Sequence, residues 1–271
     1  MSKLYCYKDE EIYCHHTKDD TPNPLDFPMH AHDQLEIFFF ISGKGSYLVE
    51  GVSYDLSPND IMIMRQAETH KLIISPDEPY ERIAIHFSPG LLRSYSPQLL
   101  ASFNDRPLGR GNLFSGTKYP NLCIAFQKFD FQTSTVQRSH IFARLLLFLS
   151  ELADVYQADQ IGEYMYDDSS ELVGYVNEHL FDNLSVNSIS QHFMKSTAQI
   201  SRDFKKATGS PVWVYIRIKR LLAAQAMIQQ GESPAKVCIS CGFSDYSAFF
   251  RAYKSHFGYP PSHPPVYSAQ K

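Results

Sequence analysis

One change in hydrophobic periodicity divides this chain, and it constrains the fold more than any other feature. Between residues 35 and 87 the apolar residues form short runs, which are separated by turn residues such as Gly43, Gly51 and Pro58. Short apolar runs with frequent turns are typical of an antiparallel sandwich or a small barrel. From residue 170 onward every periodic segment is helical instead. The sequence therefore predicts a β-rich N-terminal domain followed by an all-α domain.

An amphipathic helix is predicted at the end of the β-rich part, between residues 138 and 157. Its apolar positions recur at spacings of three and four residues, namely Ile141, Leu145, Phe148, Leu149, Leu152 and Tyr156. Residues 161–169 are polar and acidic and have no periodicity, so we expect them to form a linker. The expected domains are thus a β-rich domain with C-terminal helices at 1–160 and a helical domain at 170–271.

Charge is unevenly divided between the two parts of the chain. Residues 1–169 contain 14 Lys and Arg against 23 Asp and Glu, a net charge of −9, whereas residues 170–271 contain 11 against 6, a net charge of +5. A basic C-terminal part after an acidic N-terminal part is typical of a protein that binds a polyanion through its C-terminal part. A chance imbalance between two solvated surfaces is the alternative.

Composition and the cysteine pattern exclude several classes of protein. Hydrophobic residues make up 44% of the chain, which is enough for a sizeable core and excludes a largely disordered protein. No apolar run is long enough to span a membrane, and the N-terminus lacks the apolar stretch of a signal peptide. The five cysteines are an odd number at scattered positions and do not indicate a disulfide framework. We therefore expect a cytoplasmic protein without a membrane partner.

The helical part contains the same two-helix pattern twice, at 184–209 and at 232–259. Each unit has two short amphipathic segments joined by a tight turn, which is the pattern of a helix-turn-helix. Four polar residues can cap the four helices, namely Ser185, Ser196, Ser233 and Asp245. A longer helix predicted at 211–230, with Pro211 in its first turn, connects the units. Two such units in tandem on the basic part of the chain favour DNA binding over a plain helical bundle.

The predicted helices separate inward positions from positions suited to DNA. Ile239 of the second unit is expected to point inward, and Trp213 is expected on the apolar face of the connecting helix. The connecting helix also carries a basic cluster of Arg217, Lys219 and Arg220. Hydroxyl and cationic side chains on the outside of the second helix of each unit can contact base edges and phosphates.

The segment from Leu184 to Pro261 resembles the DNA-binding domain of the AraC/XylS family of transcription regulators. The matching positions are Ser196, 200–206, Gly209, Tyr215, Arg220, Leu221, Ala224, Ile228, 242–251, Lys254, Phe257, Gly258 and Pro261. Ser190 and Cys238 depart from the pattern, since this family usually has Ala there. The resemblance implies that each unit places its second helix in a major groove. The implied base contacts are Thr197, Ala198, Ser201, Arg202, Tyr246, Ser247, Phe250 and Arg251, and the implied phosphate contacts are Lys206 and Lys254.

A histidine cluster lies in the β-rich part. His30, His32, Glu36 and Gly43 have the spacing of the first motif of cupin barrels, and His70 lies where a cupin has a later histidine. The pattern resembles a cupin-type sensor domain, which AraC/XylS regulators commonly carry before their DNA-binding domain. The imidazoles and the carboxylate could hold a transition metal, hydrogen-bond a polar effector or support the rim of the barrel. Effector binding is the interpretation that we favour, with no metal and no cofactor expected.

The resemblance implies a one-component transcription regulator whose barrel binds a small molecule and changes how the helical domain presents its DNA-reading helices. The leading effector class is a sugar or glycoside, so the controlled genes are expected to serve carbohydrate uptake or metabolism. The expected lining residues are His30, His32, Glu36, Tyr47, Arg65 and His70. The expected partners are double-stranded DNA, a second copy of the chain that pairs through the stripe at 138–157, and RNA polymerase.

Two other functions stay open at this point. One is a metal-dependent cupin enzyme with an accessory helical domain, in which His30, His32, Glu36 and His70 would be the metal ligands. The other is a constitutive DNA-binding protein whose barrel serves only for dimerisation. We expect no catalytic residue and no enzyme activity. His15 and His16 are neighbours in the sequence, and we expect them in a solvated loop.

Overall fold

The structure is a computed structural model that describes residues 2–92, 94–129, 137–159 and 168–263. Within these ranges the strands are β1 (Ser2–Lys8), β2 (Ile12–Asp19), β3 (Leu35–Ser42), β4 (Gly45–Val49), β5 (Val52–Leu56), β6 (Ile61–Met64), β7 (His70–Ile74), β8 (Tyr80–Phe87) and β9 (Leu113–Phe114). They form two antiparallel sheets, ordered β1-β2-β8-β3-β6-β9 and β5-β4-β7. Apolar side chains from both sheets share one interior, which confirms the predicted antiparallel, cupin-like barrel.

The described part of the N-terminal region also contains the helices α1 (Ala101–Asn104), α2 (Pro120–Gln127) and α3 (Arg138–Asp159). The stripe of α3 from Ile141 to Leu152 is fully buried against the outer face of the larger sheet. The expectation that this stripe pairs with a second copy of the chain is therefore wrong. The outer face of an apolar sheet needs a cover, and α3 supplies that cover within its own chain.

Strand β3 lies in the middle of the larger sheet, between β8 and β6, and both of its faces are buried. Phe38 and Phe40 point into the barrel interior, whereas Ile37 and Phe39 face the core under α2 and α3. Burial on both faces explains why the sequence shows a continuous apolar run here rather than an alternating one. Glu36 is the charged exception, and it shares the inner face with Phe38.

The C-terminal region contains the helices α4 (Asp168–Glu178), α5 (Val186–His192), α6 (Thr197–Thr208), α7 (Val212–Gln229), α8 (Pro234–Ser240) and α9 (Tyr246–Phe257). One apolar core joins α4, α5, α6 and the start of α7, and a second core joins the remainder of α7 with α8 and α9. Because α7 contributes to both cores, it fixes the two helix-turn-helix units relative to each other. The tandem arrangement of helix-turn-helix units is thus as predicted.

Two apolar residues lie outside these cores, contrary to expectation. Ile239 is 77% exposed and Trp213 is 57% exposed. In α8 the buried positions are Val237 and Cys238, with Cys241 following the helix. Each helical residue turns the chain by about 100°, so a side chain two positions after Val237 points to the opposite side. The expected inward position of Ile239 is wrong because the short helix α8 carries apolar residues on both of its sides.

The predicted linker at 161–169 lies largely outside the described residues, which resume at residue 168 with α4. The boundaries at 160 and 170 therefore stay predictions. In the described ranges, no helix combines the length and the apolar character that crossing a membrane requires.

Candidate functional site

Caps at both ends define α6 and α9, the second helix of each unit. Ser196 Oγ accepts a backbone N–H in the first turn of α6, and Asp245 Oδ1 accepts one in the first turn of α9, at 3.2 and 2.6 Å. Gly209 and Gly258 end the two helices with φ of 73° and 82°, a left-handed conformation that favours glycine. Both helices therefore have a fixed start, a fixed end and a fixed outward face.

The outward face of α6 presents the side chains that the sequence predicts for DNA contact. The first reading surface consists of Thr197, Ala198, Ser201, Arg202 and Lys206, and all five are exposed. The opposite face of the helix is buried in the core of its unit. The guanidinium of Arg202 donates to the side chain of the neighbouring Gln199 at 2.7 Å, and no acidic group pairs with it in the described chain. A cation of this kind is available to a base edge or a phosphate.

The outward face of α9 is more aromatic. The second reading surface consists of Tyr246, Ser247, Phe250, Arg251 and Lys254. Four of these residues are exposed, whereas Phe250 is half-buried and its ring centre lies 6.5 Å from that of Tyr246. Phe250 can therefore offer only the outer part of its ring. The roles of both surfaces in reading bases and phosphates stay predictions.

Two residues of the predicted basic cluster in α7 are buried and hold the protein together. Arg220 donates hydrogen bonds of 2.7 Å to three backbone carbonyls, those of Leu180, Asp182 and Gly242. These contacts connect the turn of the second unit to the end of α4. Lys219 reaches into the N-terminal domain, and Arg217 is exposed. The cluster predicted from sequence is therefore not one basic surface.

The four residues of the predicted cupin motif converge in the barrel. His30 pairs with His70 through an isolated β-bridge, so the loop before β3 lies alongside β7. One potential ligand atom from each of His30, His32, Glu36 and His70 lies within 4.8 Å of the others. His32 Nε2 and His70 Nε2 each lie 3.1 Å from Glu36 Oε2. We call these four residues the His–Glu cluster.

Backbone carbonyls orient all three imidazoles of the His–Glu cluster. The Nδ1 atoms of His30, His32 and His70 lie 3.0, 2.9 and 2.7 Å from the carbonyl oxygens of Pro28, Gln34 and Glu68. A carbonyl oxygen only accepts hydrogen bonds, so each Nδ1 carries a proton and each Nε2 is turned toward the cluster. Residues that fix the ring orientation in this way are typical of a binding site.

The residues of the His–Glu cluster differ in charge although they lie close together. Burial raises the pKa of Glu36, but the charge of His86 and hydrogen bonds from His32 and His70 outweigh it and hold this pKa well below its usual value. Burial lowers the pKa of His70, but its contact with Glu36 outweighs burial and raises this pKa. Burial and the charge of His70 lower the pKa of His30 to about 3. Glu36 is therefore an anion, and His30 is a neutral imidazole at neutral pH.

Two further residues were predicted to line the site, and the structure separates them. Tyr47 is fully buried, and its ring centre lies 5.9 Å from that of His70. Arg65 instead directs its guanidinium to the backbone carbonyls of Asn104 and Arg106, at 3.4 and 3.0 Å. The prediction for Arg65 is therefore wrong, because the turn after β6 carries its side chain toward the segment that follows α1.

Sequence reasoning missed the polar residues that β2 and β8 place on the inner face. His86 Nδ1 lies 4.0 Å from Glu36 Oε2, and His15 stacks near His86 with ring centres 6.1 Å apart. His15 and His16 are both buried in β2, so the expectation of a solvated loop is wrong. The available signal was alternation in β8, where Tyr80, Arg82 and His86 occupy every second position with Ala84.

The His–Glu cluster has the chemistry of a binding site for a polar ligand or for a cation. One ring nitrogen from each of three imidazoles and one carboxylate form a nitrogen- and oxygen-rich donor set that suits a transition metal. The same groups can exchange hydrogen bonds with the hydroxyls of a small polar molecule. The packed rings around Tyr47 and Phe38 provide an apolar wall on one side.

A buried ion pair connects the two domains close to this cluster. Glu50, in the turn between β4 and β5, accepts hydrogen bonds from Lys219 at 2.9 Å, from Asn177 at 3.0 Å and from the hydroxyl of Tyr215. Its own domain supplies one partner, the backbone N–H of Thr69 at 2.6 Å. The side chains of Glu50 and Lys219 are 1% and 7% exposed, and we call them the interdomain ion pair.

The chain matches models of two protein families. The model of the AraC-like ligand binding domain matches residues 18–157, and that of a helix-turn-helix domain matches residues 189–263. The uncharacterized HTH-type transcriptional regulator YbfI of Bacillus subtilis is 22% identical over 227 residues, which cover 82% of this chain and 80% of that protein. The HTH-type transcriptional activator RhaS of Escherichia coli is 23% identical over 255 residues, which cover 87% and 86%. The solved structure of ToxT from Vibrio cholerae covers 93% of this chain and 97% of its own, at 15% identity and a TM-score of 0.40.

Proposed function

This chain belongs to the AraC family of transcription regulators, with a ligand-binding domain and a DNA-binding domain, and we propose that it controls genes by binding specific DNA sites in response to a small molecule. Its named relatives are transcription regulators, so the chain is a regulator and not a cupin enzyme. The proposed site of action is the cytoplasm, where a one-component regulator reaches its DNA without a second protein.

The presence of two exposed reading surfaces on capped helices carries the DNA-binding proposal. Each surface combines hydroxyls with cations that have no acidic partner in the described chain, and α7 packs in the cores of both units. Helix-turn-helix pairs held in this way can enter successive major grooves about one helical turn apart. Arg202 and Arg251 are proposed to read bases, whereas Lys206 and Lys254 are proposed to contact phosphates.

Selection from random double-stranded DNA by the full-length protein tests this proposal. We expect an enriched site with two blocks of fixed sequence whose centres are roughly 10 base pairs apart. Arg202→Ala is expected to relax one block and Arg251→Ala the other, each at a cost of about 1–3 kcal/mol on the enriched site. Lys206→Ala should weaken binding to all sequences and flatten its salt dependence.

Lys236→Ala is the matched control, because Lys236 is exposed on α8 and lies outside both reading surfaces. This variant should select the same two blocks as the natural chain. Failure to enrich any sequence, or relaxation of the same block by both arginine variants, would contradict the proposal.

Two backbone routes support the idea that the His–Glu cluster controls the DNA-binding domain. Thr69, which donates to the interdomain ion pair, directly precedes His70. Ala67 accepts a hydrogen bond from the lysine of the same pair at 2.8 Å and donates its N–H to the carbonyl of His32 at 2.9 Å. A ligand that prefers one position of His32 or His70 would therefore favour one arrangement of the domains.

The proposed effector is a sugar or glycoside, and the proposed target genes serve carbohydrate uptake or metabolism. Imidazoles and a carboxylate beside aromatic rings offer donors, acceptors and an apolar wall, which together suit a hydroxylated ring. We further propose that the protein acts as a homodimer and works with RNA polymerase. A constitutive DNA-binding protein would instead show no change in DNA affinity with any sugar.

A divalent transition metal is a second candidate ligand, favoured by His32 Nε2 and His70 Nε2 beside Glu36 and by a ring nitrogen of His30 within 4.8 Å of the other ligand atoms. Metal analysis of the purified chain and thermal unfolding with zinc chloride test this alternative. Zinc should stabilise the natural chain but not the His30→Gln, His32→Gln double variant. His140→Gln, which changes an exposed histidine on α3, is the control. Equal stabilisation of all three proteins would remove the metal from consideration.

A further inference from the structure

The inner face of the barrel continues beyond the His–Glu cluster as a row of polar residues. Strands β2 and β8 pair Thr17 with Arg82 and Tyr13 with His86, and directly paired residues lie on the same face of a sheet. On the other side of β8, the same His86 pairs with Glu36 of β3. Arg82 and the cluster therefore belong to one interior surface, with Arg82 toward the start of β8.

Arg82 brings a positive charge into this interior without an acidic partner. Its Nε donates a hydrogen bond to Thr17 Oγ1 at 3.3 Å, and no carboxylate forms an ion pair with it in the described chain. Its guanidinium carbon lies 5.8, 5.7 and 5.9 Å from the ring centres of Phe27, Phe38 and Tyr80. A guanidinium has five N–H donors, so most of its capacity to bind an anion is unused.

Arg106, a fully buried arginine of the same barrel, has a complete set of partners. Arg106 contacts both carboxylate oxygens of Glu68, at 2.8 and 2.6 Å, and also donates to the side chain of Asn112 at 3.1 Å. Glu36 does not pair with Arg82 in this way in the described chain, and its Oε2 is engaged by His32 and His70 instead. Among the described residues Arg82 therefore has no carboxylate in direct contact, although Glu36 is close enough to favour its charged form.

Two other buried polar atoms on this face have no hydrogen-bond partner of good geometry in the described chain. They are the hydroxyl of Tyr80, whose side chain also interacts with Arg82, and Nδ1 of His15, a residue that is 5% exposed. Burial and the positive charge of Arg82 lower the pKa of His15 to about 3, so this imidazole is neutral and adds no second charge. Buried polar groups are normally hydrogen-bonded to protein or to water, so these two atoms, together with Arg82, are available to a polar ligand in the interior.

We propose that Arg82, Tyr80 and His15 bind the acidic group of an anionic sugar, while the His–Glu cluster faces the sugar hydroxyls. This proposal rests on the effector-binding function proposed above and names the chemical class of the effector. A guanidinium pairs with two oxygens of a carboxylate or of a phosphate in the same way, so both a sugar acid and a sugar phosphate carry the required group. A neutral sugar would offer Arg82 no ion pair.

Thermal unfolding and titration calorimetry of the full-length protein test this proposal with matched ligands. The panel consists of D-glucose, D-glucuronate and D-glucose 6-phosphate, together with D-galactose, D-galacturonate and D-galactose 6-phosphate. We expect at least one acidic sugar to bind and to raise the midpoint of unfolding, while its neutral parent does neither at the same concentration. The two acidic arms separate a carboxylate from a phosphate.

Variants of Arg82 decide whether the arginine reads the acidic group. Arg82→Gln should weaken binding of the acidic sugar at least tenfold. The affinity of Arg82→Lys should lie between those of the natural chain and Arg82→Gln, because lysine keeps the charge but lacks the planar guanidinium. Lys44→Gln, which removes an exposed cation from the turn before β4, should bind like the natural chain. An arginine that only supports the barrel would lower the unfolding midpoint without ligand and leave the ratio of acidic to neutral affinity unchanged.

The possible results distinguish the anionic site from the broader proposal of a sugar-responsive regulator. If neutral sugars bind as well as acidic ones, the anionic site is wrong, whereas the sugar-responsive regulator stands. If no member of the panel binds while DNA selection succeeds, both the anionic site and the sugar effector are wrong, and DNA binding stands.

Discussion

Glu68 and Glu50 are both buried carboxylates of the barrel, but their partners come from different places. Glu68 is held entirely within its own domain, by Arg106, by Asn112 and by the backbone N–H of Gly109. Glu50 receives most of its partners from the helical domain. A carboxylate of the first kind supports the fold, whereas one of the second kind is satisfied only while the two domains keep this arrangement.

The largest effect is expected when Glu68 loses its cation. Arg106→Met leaves a buried charge without compensation, since Glu68 and Arg106 are both fully buried. We expect a loss of about 3–5 kcal/mol in the free energy of unfolding of the barrel, as for other buried pairs that lose one partner. Chemical denaturation followed by circular dichroism measures this. A loss below about 1 kcal/mol would show that Glu68 is not a structural carboxylate.

The pH dependence of the stability of Arg106→Met tests whether Glu68 is the group that loses its partner. Burial raises the pKa of Glu68, but Arg106 outweighs burial, and the pKa in the folded protein lies below the usual value of 4.5 for a glutamate. The pair therefore contributes stability that is present above about pH 4.5 and is lost as the pH falls through the folded value. Without Arg106, burial raises this pKa and the hydrogen bonds from the backbone N–H groups of Gly109 and Arg65 oppose it without the charge of a cation, so protonation of Glu68 at low pH should reduce the destabilisation of the variant.

The difference in stability between the natural chain and Arg106→Met should therefore shrink as the pH falls from 7 toward 4. Denaturation series at several pH values provide the measurement. A difference that stays constant over this range would mean that another group, rather than Glu68, is responsible for the loss.

The interdomain ion pair is expected to behave differently, because the two domains can separate. Lys219→Met removes the cation, but separation would return Glu50 to water, so the loss of stability should be about 1–3 kcal/mol rather than the full cost of a buried charge. The larger consequence should be on DNA affinity, which we expect to differ from that of the natural chain on the enriched site. Fluorescence anisotropy with that duplex measures it.

Arg217→Met is the control for this variant, because Arg217 is an exposed cation of the same helix α7. A barrel that unfolds as readily in Lys219→Met as in Arg106→Met would erase the distinction between the two carboxylates. Unchanged DNA affinity in Lys219→Met would show that the contact between the domains does not regulate the reading surfaces.

The sequence predicted the parts of this molecule that follow from periodicity or from local spacing. The division into barrel and tandem helix-turn-helix units follows from apolar patterns, and the His–Glu cluster follows from the short spacing of His30, His32 and Glu36. Arg65 was placed wrongly because a side chain after a turn can point either way. The alternation in β8 was available as a signal for Arg82, but the pairing that brings His15 of β2 beside this strand spans a long sequence separation that no local pattern reveals.

Neither interdomain partner could be recognised from sequence. Lys219 lies in a run of basic residues that resembles a DNA-binding surface, and its burial depends on how the two domains meet. Glu50 lies in a tight turn where a charged residue is ordinarily solvated. The unusual feature of this turn is visible only in the structure, where Glu50 and Gly51 both have positive φ, at 49° and 89°.

The turn at Glu50 and Gly51 leads to the prediction with the smallest expected effect. A two-residue turn with positive φ at both positions favours Asn at the first position, because a short polar side chain tolerates the left-handed region better than Glu does. Glu50→Asn and Glu50→Gln both remove the carboxylate from the interdomain ion pair, but only Asn also relieves the backbone. We expect Glu50→Asn to be more stable than Glu50→Gln by about 1 kcal/mol, with equal changes in DNA affinity. Equal stability of the two variants would mean that the turn holds no strain, and the use of Glu at this position would then need no functional explanation.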